Sequence, residues 1–374
     1  MVAGNNLPDL DFLYSALSGS KLDYLLQHRG YSHTLVAALL IAAAMWLAVC
    51  AWIRWRALPC SRADRRYLAG LAVLAPMLHI ALDYTNNYGV HPFWPLDNHW
   101  YYGDAVFIIE PLLWACAAPL LFTLRSATGR ILVALSLFAA LLLAPASGVV
   151  PLPFLLLLAG WTAVLLALGW RLPARAALTA GIAGWGFLTA LFFVCTRVAD
   201  TRIAAAAQRA FPGAVTLDRV LTPLPANPVC RELLLVQVVE QRYVLRKAVH
   251  SLLPTWFPAA SCPLPDAGAQ TAPLQPVAAI SGADMRWIGE ISMPAPSMAE
   301  LAASDCAVLA LLRFARAPYS AQLSTGQVVG DLRYDREADN GFAELTLGTA
   351  EARCPRRVPG WLPPRQDLLD FTRG

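Results

Sequence analysis

Long apolar runs separated by short polar stretches fill the first half of the chain, and this pattern predicts membrane-spanning helices. A bilayer core takes about 20 mainly apolar residues in helical form. Six runs approach that length: residues 34–53, 67–82, 105–124, 131–150, 152–170 and 176–194. Pro111, Pro119, Gly181 and Gly184 lie inside these runs, and such residues are tolerated in membrane helices. Beyond residue 196 the pattern changes. A helical lead-out at 204–210 precedes short runs at 232–240, 241–248, 307–314, 327–334 and 341–347, several rich in Val, Leu, Phe and Tyr. Turn signals separate them, among them Pro223-Leu-Pro225, Asn227-Pro228 and Asp339-Asn340-Gly341. The Pro- and Ala-rich stretch 252–276 reads as a loop. The expected fold is mainly α: an outer-face loop over 1–33, a polytopic helical domain of about six spans over 34–196, and a small β-rich extracytoplasmic domain over 197–374.

Composition agrees. Of 374 residues, 57% are hydrophobic and only 14% charged, against roughly 25% charged in ordinary soluble domains. That balance excludes intrinsic disorder and argues against a wholly soluble chain. A net charge of +4 is too mild to suggest a nucleic-acid partner; the expected partner is the lipid bilayer. Arginines set the orientation. Arg54, Arg56, Arg62, Arg65 and Arg66 follow the first run, Arg125 and Arg130 the third, and Arg171 and Arg175 the fifth, with no Lys or Arg between 67 and 124. Positive loops belong in the cytoplasm, so residues 1–33, the 84–103 loop and everything after 194 are expected outside. The first six residues carry no signal-peptide pattern. Either a short N-terminal segment is translocated, or a first helix is missing from this start. Cys230, Cys262, Cys306 and Cys354 would then lie in an oxidising compartment, either as free thiols or in two bridges with three pairings open.

Polar residues in this apolar half carry the chemistry. His79 and Asp83 are four apart and share a helix face at the outer end of the second run. An ionisable pair at membrane depth is a functional candidate. His28 and His33 flank Gly30, which permits a tight turn, and Asp9 and Asp11 point the same way if extended. The charge pattern places all three groups on one membrane face. Asp9, Asp11, His28, His33, His79 and Asp83 are therefore the candidate ligands of one or two divalent metal ions, zinc first and manganese second. The alternative is a structural polar cluster. Glu110, inside an apolar run, and Asp104 are candidate proton acceptors. Arg29 would pair with a phosphate or other anion, or else with Asp9 or Asp11. His91 and His99 read as solvated loop residues among Trp94, Trp100, Tyr101 and Tyr102.

Pro8-Asp-Leu-Asp11, His28-Arg-Gly-Tyr-Ser-His33, His79-x-x-x-Asp83 and Tyr102-Gly-Asp-Ala-Val-Phe-Ile-Ile-Glu-Pro111 together resemble the LexA-regulated, YdjM-like family of bacterial inner-membrane metal-dependent hydrolases. The resemblance covers roughly residues 7–115. It implies an integral inner-membrane protein with a bound divalent metal and hydrolase activity. The family pattern opens with a further helix bearing a Thr-His pair, which this chain lacks. The leading expectation is hydrolysis at the outer membrane surface of a lipid or lipid-linked ester, a phosphoester by the metal and Arg29 reasoning. The alternative is a non-catalytic membrane protein with a structural metal site and a partner-binding outer domain. A transporter is the weakest reading, because the last three runs lack charged residues and His. Walker, dinucleotide, Gly-x-Ser-x-Gly and His-Glu-x-x-His motifs are absent from the sequence.

Overall fold

The structure, a computed structural model, describes the whole chain except residues 265–270, 325, 337–340 and 371–374. The expected turn residues Asp339 and Asn340, and 265–270 of the expected loop, lie outside the described residues. Helices α1 (Val2–Asn6), α2 (Phe12–Ser18), α3 (Lys21–Gln27), α4 (Leu35–Trp55), α5 (Arg62–Tyr84), α6 (Pro111–Ala115), α7 (Leu120–Thr123), α8 (Ala127–Ala146), α9 (Leu152–Arg171) and α10 (Ala174–Ala210) lead into strands β1 (Val215–Leu224), β2 (Asn227–Val239), β3 (Arg242–Ser251) and β4 (Met285–Pro294). There follow α11 (Ser297–Ser304), α12 (Cys306–Leu311), β5 (Pro318–Leu323), β6 (Gly326–Asp331), β7 (Glu344–Thr346) and α13 (Gln366–Asp370). The chain forms two compact units. One comprises Met1–Tyr102, Gln270–Pro273 and Met293–Gly374; the other comprises Gly103–Ala269 and Leu274–Ser292.

In the first unit, α4 and α5 form a hairpin of two candidate spans. Thr34 caps α4 by accepting from the Ala37 N–H at 3.0 Å, and Ser61 and Asp64 form a reciprocal capping box on α5. Small residues set the packing: a side chain at Gly4 of α1 would collide with Met45 of α4 and press on Ala75 of α5. The outward faces stay apolar, with Leu39, Leu40 and Leu47 exposed, as lipid contact requires. The C-terminal part of the unit carries the antiparallel sheet β5-β6-β7 and a disulfide between Cys306 and Cys354.

The second unit holds three more candidate spans, α8, α9 and α10. The run 105–124 is not a sixth span, contrary to the expectation from its hydropathy. It breaks into the short helices α6 and α7. Pro119 supplies no N–H and clashes with the preceding turn, and Glu110 starts α6 late by accepting from the Leu112 N–H. The broken backbone is buried in protein: Ala105, Leu112, Ala115 and Ala118 pack in one core with Leu158, Leu165 and Phe192. Irregular backbone at membrane depth survives only in such surroundings. Glycines make the fit possible. A Cβ at Gly181 would lie 2.7 Å from the Cys116 carbonyl oxygen, and one at Gly169 would lie 2.8 Å from Pro119 Cα. Gly181→Leu is expected to cost about 1–3 kcal/mol, as overpacking typically does. A fall in the thermal midpoint of the detergent-solubilised protein checks it; an unchanged midpoint would refute the notch.

Helix α10 has 37 residues, about 55 Å at 1.5 Å per residue, nearly twice a bilayer core. It joins the expected last span and the lead-out into one rod. Its distal Ala199, Ile203 and Ala207 recur every four residues and bury against Leu221, Leu233, Leu235 and Ala248 of the sheet β1-β2-β3-β4. Cys230 and Cys262 form the second disulfide. Two strand expectations are met by β2 and β3, and those at 327–334 and 341–347 by β6 and β7. The run 307–314 is instead helical in α12, because Asp305 caps it by accepting from the Ala307 and Val308 N–H groups.

Candidate metal centre

Four side chains from three segments converge in the first unit. Asp9 lies on the 3-10 turn Pro8–Asp11, not on the extended loop that its spacing suggested. Pro8 sets the helical φ at the start of that turn. His33 ends the turn Tyr31–His33, immediately before α4. His79 and Asp83 occupy one face of α5.

His33 Nε2 lies 3.1 Å from His79 Nε2, 3.3 Å from Asp9 Oδ1 and 3.1 Å from Asp83 Oδ2. His79 Nε2 lies 3.3 Å from Asp9 Oδ1 and 3.4 Å from Asp83 Oδ2. Hydrogen bonds alone do not account for this. One imidazole nitrogen carries at most one proton, yet His33 Nε2 faces three groups, and the buried Asp83 Oδ2 is left without a hydrogen-bond partner. A bound cation would account for it. Four N and O donors at about 2.0–2.1 Å from a tetrahedral ion stand about 3.3–3.4 Å apart, close to the spacings found. The donor set, two imidazoles and two carboxylates, suits zinc or manganese.

A second layer holds these donors. Asp11 accepts from Ser32 Oγ at 2.8 Å and from the Arg29 backbone N–H at 3.0 Å, and His28 Nδ1 lies 3.1 Å from it. Ser32 Oγ and Asp11 also sit at 2.9 and 3.4 Å from His33 Nδ1. A proton on Nδ1 directed at them leaves the Nε2 lone pair facing the other donors. Arg29 holds Asp83: its Nη2 lies 2.8 Å from Asp83 Oδ1, while Nη1 donates to Asn86 Oδ1 at 2.9 Å. The Arg29 backbone has a φ of 56°, and Asp11 bonds to its N–H in that left-handed conformation. Asp9, Asp11 and His28 form a second group of potential ligands, with Asp9 common to both. Asp11→Asn is expected to weaken divalent-metal affinity by about 10–100-fold, the usual effect of losing an outer-shell partner. Titration with Co²⁺ measures it, and unchanged affinity would remove Asp11 from this role.

Electrostatics match the geometry. Burial alone would raise the carboxyls of Asp9 and Asp11, but the facing imidazoles outweigh it and hold both well below the usual carboxylate range. Burial alone would lower His33, but Asp11, Asp83 and Asp9 push it up to about 10.

Asp104 and Glu110 belong to the second unit. Asp104 has a φ of 52° and its carbonyl accepts from Thr196 Oγ1. The buried Glu110 carboxylate accepts from the Leu112 and Ala226 N–H groups. His99 is exposed and bonded to Asp97. His91, expected in solvent, is fully buried. It is packed 3.8 Å from the Trp361 ring and 3.9 Å from the Trp100 ring. Nothing in the local sequence pattern marks Asn86 or Trp361 as belonging to this neighbourhood.

Residues 1–150 match the model of the YdjM inner membrane protein family. This YdjM-like segment contains all six clustered residues and both spans of the first unit. With five apolar helices among the described residues long enough to cross a bilayer, the chain is a multi-pass membrane protein. Comparison with curated proteins and with solved structures found no match.

Proposed function

We propose that the protein is a metal-dependent hydrolase acting at the outer face of the inner membrane on a lipid or lipid-linked phosphoester. The carrying observation is the four-donor cluster of Asp9, His33, His79 and Asp83. A bound divalent ion would supply a Lewis acid that polarises an ester oxygen and eases deprotonation of water. The chain's own residues orient that centre: Ser32 and Asp11 fix the His33 ring, and Arg29 fixes Asp83. Arg29 is thereby a positioning residue, and its guanidinium balances the carboxylates.

Two features support an outer-face site with lipid access. The cluster lies at the opposite end of the α4–α5 hairpin from Arg56 and Arg62, whose loop belongs in the cytoplasm. Asp9 is the most exposed of the four at 36%; Leu10, Leu13 and Leu17, which follow it in the chain, and Leu39 and Leu40 of α4 are exposed apolar side chains. A substrate with an apolar tail reaches such a site from the bilayer. The same sidedness supports a periplasmic location for residues 293–374, which share a unit with the cluster, and the two disulfides fit that compartment.

A structural metal site is the second reading. Asp9, His33, His79 and Asp83 would by themselves supply four donors, the number that closed structural zinc sites take. Elemental analysis of the purified protein, with assays for phosphate release from soluble and vesicle-borne phosphoesters, tests both. Stoichiometric metal with metal-dependent turnover supports the hydrolase. Stoichiometric metal without turnover on any ester favours the structural reading, and absence of metal overturns both.

A further inference from the structure

Trp361 and Arg357 reach the ligand-bearing loop from far along the chain. Trp361 is fully buried and is among the largest such side chains of the described residues. Its indole Nε1 donates to the Leu26 carbonyl oxygen at 3.0 Å. Its ring lies 4.6 Å from the Tyr31 ring and stacks on His91 at 3.8 Å. A Cβ at Gly30 would approach its ring to 3.2 Å. These contacts bracket the loop, from the end of α3 to the residue before Ser32.

The tryptophan is itself held from several sides. Arg313 Nη1 donates to its carbonyl at 2.7 Å, and the Leu362 N–H donates to the Asn98 carbonyl at 3.0 Å. Gln27 Nε2 donates to the Arg357 carbonyl at 3.3 Å. Upstream, Cys354 is tied to Cys306, next to Asp305 at the start of α12. The segment 354–362 is thus pinned at both ends and touches the loop between them. From Trp361 the path to the donors is short. His91 Nδ1 lies 3.5 Å from the Arg29 carbonyl, and Arg29 carries both the salt bridge to Asp83 and the N–H bond to Asp11. The left-handed backbone at Arg29 costs energy in isolation, so it persists only if its surroundings fix it.

We propose that Trp361 is a positioning residue for the metal centre: the C-terminal segment 354–362 straps the 28–33 loop into the conformation that lets Arg29, Asp11 and His33 hold their places. This role lies outside the family-matched residues 1–150 and gives the C-terminal part a direct function in the site. The inference rests on the proposed metal centre for its consequence, but the strap itself is tested without metal.

The test uses full-length protein in detergent, with Trp361→Ala and Trp361→Phe. Two readouts are taken: hydrogen–deuterium exchange of the metal-free protein, and Co²⁺ titration followed by its visible absorption bands. In Trp361→Ala, exchange across residues 26–33 is expected to rise at least about tenfold while strands β2 and β3 keep their protection. Co²⁺ affinity is expected to fall about 10–100-fold, with altered absorption bands. Trp361→Phe keeps the ring packing but not the Leu26 bond, so it restores most of the affinity and the parental bands. If Trp361→Ala does not fold, Trp361→Phe alone decides by faster exchange at residue 30, whose N–H bonds to Gln27 beside that contact. Unchanged exchange at 26–33 overturns the strap. Faster exchange with unchanged affinity and bands overturns the positioning role. Parent protein that binds no Co²⁺ overturns the metal centre and the positioning role with it, and the exchange rates then decide the strap by themselves.

Discussion

His33→Ala is expected to empty the metal centre. His33 is the one donor whose two ring nitrogens serve both layers. Nε2 faces Asp9, His79 and Asp83, and Nδ1 faces Ser32 and Asp11. Loss of an outer-shell partner already costs about 10–100-fold in affinity, so loss of this donor is expected to exceed about 100-fold. Elemental analysis of parent and variant protein checks the prediction, with His99→Ala as control because that ring is exposed and bonded to Asp97. Stoichiometric metal in folded His33→Ala protein would refute the assignment. Hydrolytic turnover, once a substrate is found, is expected to vanish in parallel.

The largest stability effect is expected at Asp331. This carboxylate is fully buried. It meets Arg333 Nη2 at 2.7 Å and Nε at 2.9 Å, and accepts from the backbone N–H groups of Arg316, Ala317 and Arg333. Arg333 in turn donates to the Asn87 and Phe314 carbonyls, which ties the C-terminal sheet to the loop after α5. Asp331→Ala leaves a buried guanidinium without its counter-charge. Breaking such a pair costs about 3–5 kcal/mol. Asp331→Asn keeps an oxygen for the backbone donors and is expected to lose less. Denaturant titration measures both, and a loss below about 1 kcal/mol for Asp331→Ala would show that the pair is dispensable.

Much of the candidate site was legible because its residues obey local rules. His79 and Asp83 share a face by helical periodicity alone. The arginine pattern assigns that face, Pro8–Asp11 and His28–His33 to one expected side of the membrane. What escaped was long-range or conformational. Arg29 reaches Asp83 only because a left-handed residue aims it there, and His91 looked like a solvated loop residue because the Trp361 that covers it is 270 positions away. In the fold, hydropathy marked residues 105–124 as apolar but not as protein-enclosed, so the break at Pro119 was invisible. An apolar run such as 307–314 does not by itself tell strand from helix; the Asp305 cap decided it. Helix α10 outlasted its apolar stretch because Ala199, Ile203 and Ala207 continue a stripe with the sheet as its partner.

The placement of Trp361 also fixes an order of assembly. His33 and Trp361 are 328 positions apart. At roughly 5–20 residues per second of synthesis, the wait between them is on the order of 15–65 s. During that interval α4 and α5 can insert and pair, yet the loop between His28 and His33 lacks the ring that covers Gly30. If Trp361 straps the loop as proposed, the centre is completed only after synthesis has passed residue 361, so that a nascent chain short of that point would carry the donors without the means to keep them in register.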